Sequence, residues 1–108
     1  MGVDTEQFKE DVYEIVMAIP CGKVLTYGEI ARLAGYPNHS RLVGRVMRGA
    51  SSAQGLPCHR VVNSQGRMAP GWAEQRTLLE NEGVKIKANG CVDMSVSLWD
   101  VIEEEEWH

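Results

Sequence analysis

The chain has 108 residues, with 44% hydrophobic and 24% charged side chains, which is the composition of an ordinary folded domain rather than of a disordered chain. That length allows one modest core and leaves no room for separate catalytic and regulatory halves, so residues 1–108 are expected to form a single domain, with a core over about 5–95 and an acidic tail over 100–108. No apolar run approaches the ~20 residues of a membrane span, and no membrane partner is expected.

The opening MGVDTEQFKEDVYE is acidic and polar, unlike a signal or transit peptide. Three cysteines, Cys21, Cys58 and Cys91, are an odd number without framework spacing. That pattern suits a reducing compartment: the cytoplasm, or the nucleus of a eukaryote. Net charge is −4, but its distribution is uneven. From Lys23 to Arg76 eight basic residues face two acidic ones, a local net of +6, while the acidic residues gather at the two ends. A polyanion responds to that local field. An unevenly charged solvated surface is the plainer reading.

Phe8, Val12, Ile15, Val16 and Ile19 recur at helical spacing and predict an amphipathic helix ended by Pro20. Thr26-Tyr27-Gly28-Glu29 matches a capping box, so a second helix should begin at Tyr27, with Gly35 as its stop. A third helix is expected over Ser40–Arg48, with Leu42, Val46 and Met47 facing the core. The last two helices and their short turn have the form of a helix-turn-helix. Arg41, Arg45 and Arg48 fall on one face of the third helix, where Gly44 lets a phosphate backbone approach closely.

Cys58 to Val62 reads as a short, extended, buried segment, and Asn63-Ser64-Gln65-Gly66 as a turn. A helix is expected over Trp72–Asn81, with Leu78 and Leu79 inward and Gly83 as its stop. Val84 to Lys87 alternates, and Asn89-Gly90 precedes Cys91 to Met94, which predicts a β-hairpin. After a helix-turn-helix such a hairpin is a wing. The fold class is therefore mainly α: a winged helix-turn-helix with a small β-hairpin wing. Trp99 and Trp107 are expected to pack in a C-terminal segment.

The densest chemistry lies in Pro57-Cys58-His59-Arg60-Val61-Val62. Most free cysteines are inert small hydrophobes, and adjacent side chains of an extended segment point to opposite faces. A nucleophilic Cys58 is the sharper alternative. Zinc is disfavoured, because the chain lacks a Cys-x₂-Cys or His-x₃-His pair, and no metal is expected.

PCHRVV, together with IPCGKVLTYGEIARLAG, SRLVGRVMRG, LPCHRVVNSQG and LLENEG in that order, resembles the O6-alkylguanine-DNA alkyltransferases (methylated-DNA–protein-cysteine methyltransferases). The resemblance runs from Phe8 to about Gly83 and is to the C-terminal, DNA-binding and catalytic domain. It implies binding in the minor groove of double-stranded DNA and flipping of an O6-alkylguanine into a pocket. Arg41 matches the arginine finger that fills the vacated space, and Tyr27 the tyrosine that crowds the target phosphate. Gly44, Arg45 and Arg48 would lie on the DNA. Cys58 matches the alkyl acceptor, His59 its base acting through water, and Glu82 the carboxylate that orients the histidine. By position alone, Glu82 reads as a solvated acid, and Tyr27 as an aromatic packed on the core. Arg60 is expected in a structural hydrogen bond or ion pair. The implied reaction is single-turnover, needs no cofactor, and is carried out by a monomer.

Three departures keep a second reading open. Ala50 stands where the enzymes carry asparagine, and RMAPGW is shorter than their NYSGG-type loop. The NSQG turn, the AEQR helix and the Trp-containing tail are similar to the alkyltransferase-like proteins. Those bind alkylated DNA without repairing it and recruit nucleotide excision repair proteins. Their hallmark tryptophan in place of cysteine is absent here. A third class, a sequence-specific winged-helix regulator, would bind duplex DNA without preference for lesions.

Overall fold

The structure, a computed structural model, describes residues 3–48 and 55–101. Helix α1 spans Thr5–Ala18, and the Asp4 side chain caps it by accepting from the Gln7 N–H at 3.2 Å. Phe8, Val12, Val16 and Ile19 are buried along one stripe, as the spacing predicts, with Ile15 half-buried beside them. Ile19 turns to extended backbone ahead of Pro20, and the helix ends there.

Strand β1 (Leu25–Thr26) pairs in parallel with β2 (Val61–Val62), Leu25 opposite Val61 and Thr26 opposite Val62. All four residues are buried. The helix-turn-helix is the crossover between these strands. Helix α2 (Tyr27–Leu33) starts as predicted, with the Glu29 N–H donating to Thr26 Oγ1 at 3.0 Å. The reciprocal half of the capping box is replaced, because the Glu29 carboxylate pairs with Arg32 at 3.1 Å. Gly35 adopts φ +92°, and the Tyr36 N–H reaches back to the Ala31 carbonyl at 2.9 Å, which ends the helix.

Helix α3 spans Ser40–Arg48. Its inward residues are Val43 and Val46. Leu42 and Met47, expected to face the core, are only partly buried at its flanks, because Val43 takes the centre of the face packed on α1 and α2.

The expected extended segment at Cys58 is corrected. Cys58–Arg60 form a 3₁₀ turn, closed by the Arg60 N–H on the Pro57 carbonyl at 2.9 Å, and only Val61–Val62 are extended and buried. In such a turn successive side chains fan out by about 120° instead of alternating. Helix α4 (Glu74–Asn81) begins later than Trp72. Leu79 is buried, but Leu78 is exposed, since neighbours on a helix cannot share one inward direction. Gly83 at φ +84° lets the Val84 N–H return to the Leu79 carbonyl at 3.1 Å, which fixes Glu82 as the C-terminal cap.

The hairpin is present in minimal form. Ile86 bridges Val92 in antiparallel fashion, and the Lys87 N–H meets the Cys91 carbonyl at 2.8 Å. Buried Val92 joins Val24, Val62, Leu79 and Val84 in a second core cluster. A Cβ at Gly66 would lie 2.5 Å from the Val92 carbonyl oxygen, so the 63–66 turn and the hairpin require glycine there. Met94 opens helix α5 (Met94–Ser97) rather than extending the hairpin, because Asp93 caps it through the Ser95 N–H. Trp99 packs against the first core cluster. The result is a mainly helical, winged-helix-like fold. Ala50, Trp107 and residues 102–108 of the expected acidic tail lie outside the described residues.

Candidate active site and nucleic-acid interface

The 3₁₀ turn, the Pro20–Lys23 turn and the end of α4 converge on the Glu82 carboxylate. His59 Nε2 lies 2.8 Å from Glu82 Oε2, in hydrogen-bond contact. Arg60 donates to the same carboxylate through Nη2 at 2.7 Å and Nε at 3.0 Å, and through Nη1 to the Ile19 carbonyl at 2.8 Å. The Gly22 N–H donates to Glu82 Oε1 at 3.3 Å. Gly22 sits at φ +87°, and a Cβ there would meet the Glu82 carbonyl at 3.2 Å. Burial pushes the Glu82 carboxyl up, but the bonds from Arg60, His59 and Gly22 outweigh it and bring its pKa down to about 2. Glu82 is thus a paired, ionised carboxylate with only 14% of its side chain exposed, and not a solvated acid. Arg60 makes the structural ion pair expected of it, and its pKa is raised by that bond to Glu82.

Cys58 opens on a cavity of about 430 Å³ that also receives His59, Tyr27, Gly44 and Arg48. Burial raises the Cys58 thiol, and a backbone hydrogen bond at Cys58 itself only partly opposes this. The resting group is a thiol. Nε2 of His59 faces Glu82, which leaves Nδ1 as the ring nitrogen that does not meet that carboxylate. Burial likewise raises the Tyr27 hydroxyl, Arg48 lowers it, and Cys58 raises it.

A second groove of about 610 Å³ adjoins the first and shares Tyr27, Gly44, Arg48 and Ala69 with it. Arg41 and Arg45 complete its basic face. Tyr27, Arg41, Gly44, Arg45 and Arg48 therefore come together around one mouth. A Cβ on Gly44 would meet nothing within 4 Å, so its bareness serves no internal packing. Among the described residues neither cavity is lined by a carboxylate. No group of three or more candidate metal ligands occurs among the described residues. Nor is any helix among them long and apolar enough to cross a membrane.

Sequence reasoning missed several of these residues. Met47, Leu56, Ala69, Trp72 and Leu78 supply the apolar lining of the Cys58 cavity. Gln75, fully buried on α4, donates Nε2 to the carbonyls of His59 at 3.1 Å and Val61 at 3.0 Å, and accepts the Ala69 N–H at 2.7 Å. A glutamine at a position where helical periodicity calls for an apolar residue was the available signal.

Residues 7–84 match the family model described as 6-O-methylguanine DNA methyltransferase, DNA binding domain. The chain is 40% identical over 98 residues to the DNA base-flipping protein of Escherichia coli K12, covering 88% of this chain and 76% of that one. It is 43% identical over 98 residues to Alkyltransferase-like protein 1 of Schizosaccharomyces pombe, covering 86% and 91%. Its fold superposes on the crystal structure of S. pombe Atl1 in complex with damaged DNA containing O6-carboxymethylguanine, with a TM-score of 0.79 and 35% identity over 93% of this chain and 99% of that one. On these grounds the chain belongs to the 6-O-methylguanine DNA methyltransferase family, through its DNA-binding domain.

Proposed function

We propose that the protein binds O6-alkylguanine in double-stranded DNA, flips it out through the minor groove, and takes its alkyl group irreversibly on Cys58. The arginines of α3 would hold the phosphates, Arg41 would fill the stack, and Tyr27 would crowd the phosphate of the rotating nucleotide. In the cavity His59 accepts the Cys58 proton, Glu82 stabilises the resulting imidazolium, and the thiolate attacks the O6-bound carbon. The carbon–sulfur bond forms as the carbon–O6 bond breaks, and its electron pair stays on O6. The proton held by His59 balances the one the guanine needs. The thioether is stable, so each molecule acts once. No cofactor enters.

The observation that carries this reading is the His59–Glu82 hydrogen bond of 2.8 Å beside a thiol that burial keeps protonated. That thiol is of no use as a nucleophile without a base, and His59, oriented by Glu82, lines the same cavity. Transfer of a labelled methyl group from an O6-methylguanine duplex tests it. Wild-type protein should become labelled, while Cys58→Ser should stay unlabelled yet still bind the duplex. Label on the Cys58→Ser protein would assign the acceptor wrongly.

The second reading is a lesion-binding protein without transfer that hands alkylated sites to nucleotide excision repair proteins. The names of its relatives, DNA base-flipping protein and Alkyltransferase-like protein 1, favour it. Tight lesion binding by wild type with no transfer of label would select it.

A further inference from the structure

Arg41, Arg45 and Arg48 stand apart from other arginines of the fold. Arg32 pairs with Glu29, Arg60 with Glu82 and Arg76 with Glu80. The three on α3 are exposed, and among the described residues no carboxylate pairs with them. They line the groove of about 610 Å³, whose described lining holds no acid. Three like charges on one helix face repel one another, so the face favours an anion.

The chain carries a matching polyanion. Only Ile102 separates Val101, the last described residue, from the four consecutive glutamates Glu103–Glu106. The fold sets the direction in which they depart. Leu98 bridges Val24 in parallel, and the Trp99 N–H meets the Val24 carbonyl at 2.9 Å. This stretch therefore runs beside β1 in the same direction, and β1 leads straight into Tyr27, at the head of α2 and in the wall of the groove. Trp99 and Val101 pack on the first core cluster, which also holds Val43 and Val46 of α3. At a limit of about 3.6 Å per residue, the glutamates can reach about 7 to 18 Å beyond Val101.

We propose that Glu103–Glu106 seat on the Arg41, Arg45 and Arg48 face of α3 as a stand-in for DNA phosphates, which a duplex must displace in order to bind. This rests on the reading of that groove as the DNA interface. Exposed ion pairs are individually weak, but the tether presents the carboxylates at an effective concentration of order millimolar. The seat yields to a duplex that makes several phosphate contacts. Tail and duplex compete for the same cations, so the tail lowers affinity for damaged and undamaged DNA by one common factor.

The test compares the full chain with a variant combining Glu103→Gln, Glu104→Gln, Glu105→Gln and Glu106→Gln, both in a Cys58→Ser background so that no transfer intervenes. Without DNA, the backbone amide signals of α3 should differ between the two proteins, and those of the parent should move toward the variant's as salt rises. At about 50 mM salt the variant should bind guanine and O6-methylguanine duplexes roughly tenfold more tightly, by the same factor for both, and the gain should shrink at about 200 mM. Identical α3 signals in the two proteins would overturn the proposal even if affinity rose, since removing charge from a solvated tail raises DNA affinity through the long-range field alone. Unchanged affinity would overturn it as well. A signal difference that grows with protein concentration would place the tail of a second copy on the groove and overturn the intramolecular seat. The lesion reading fails separately: equal affinity for the two duplexes in both proteins would sink it and leave the effect of the tail standing.

Discussion

His59 and Glu82, 23 residues apart in the chain, meet at 2.8 Å because one glycine-terminated helix ends where one 3₁₀ turn begins. The same carboxylate accepts from both Nε and Nη2 of Arg60, whose guanidinium also reaches the Ile19 carbonyl through Nη1. The catalytic candidate and a main structural tie between α1, the turn and α4 are therefore one group. Replacing Glu82 should cost both fold and chemistry. Glu82→Gln leaves Arg60 part-buried without its counter-charge and should destabilise the protein by about 2–3 kcal/mol in urea unfolding. An unchanged midpoint would contradict the tie.

The low Glu82 pKa gives that contribution a pH window. The folded value, about 2, lies below the ordinary carboxylate value of 4.5. The stabilisation is thus fully present above about 4.5 and is lost as pH falls toward 2. The stability gap between wild type and Glu82→Gln should shrink as pH falls from about 4.5 toward 2. Unfolding curves at stepped pH measure it, and a gap independent of pH down to 3 would argue against the ion pair.

Gln75 predicts a stability effect of a different origin. Gln75→Leu fits the apolar position in size but strands the Ala69 N–H and the His59 and Val61 carbonyls. Leaving such groups unpaired should cost about 2–4 kcal/mol, read as a lowered midpoint of unfolding. A neutral or stabilising substitution would show that the segment before α4 is held by other contacts.

Cysteine reactivity separates Cys58 from Cys21. Cys58 is half-buried with its thiol raised by burial, whereas Cys21 is exposed. At neutral pH iodoacetamide should label Cys21 faster than Cys58, read by peptide mass over a time course. Faster labelling of Cys58 would mean that His59 already holds its proton in the free protein.

The α3 arginines predict two kinds of DNA effect. Arg41→Ala should weaken binding to a lesion duplex by roughly 1–3 kcal/mol. Arg45→Ala and Arg48→Ala should instead lower affinity for every duplex and reduce its salt dependence by about one unit of slope each. Equal slopes in wild type and both variants would remove these arginines from the phosphate contacts.

Much of the helical frame was legible because its signals are local. Thr26 before an apolar face and Gly35 after it bound α2, and Ser40 opens α3. The turn at Cys58 was not legible, since the apolar Val61-Val62 that follow extend the look of a strand back over it, and the backbone bonds from Arg60 to Pro57 and from Val61 to Cys58 decide otherwise. Leu78 looked inward only because it adjoins Leu79. The arginine stripe could be read from spacing, but the meeting of His59, Arg60, Glu82 and Gly22 could not. It depends on long-range packing, and Glu82 came forward through the family motif rather than through its position. Trp72 carried no local signal for the cavity it lines, and the only signal from Gln75 was a glutamine at an apolar position of its helix.

The most direct measurement is the intact mass of the protein after incubation with one equivalent of an oligonucleotide duplex carrying a single O6-methylguanine. The account predicts a stoichiometric gain of one methylene unit, mapping to the peptide that contains Cys58, with guanine restored in the DNA. An unchanged mass while the duplex stays bound would contradict transfer and leave a protein that reads the lesion without repairing it.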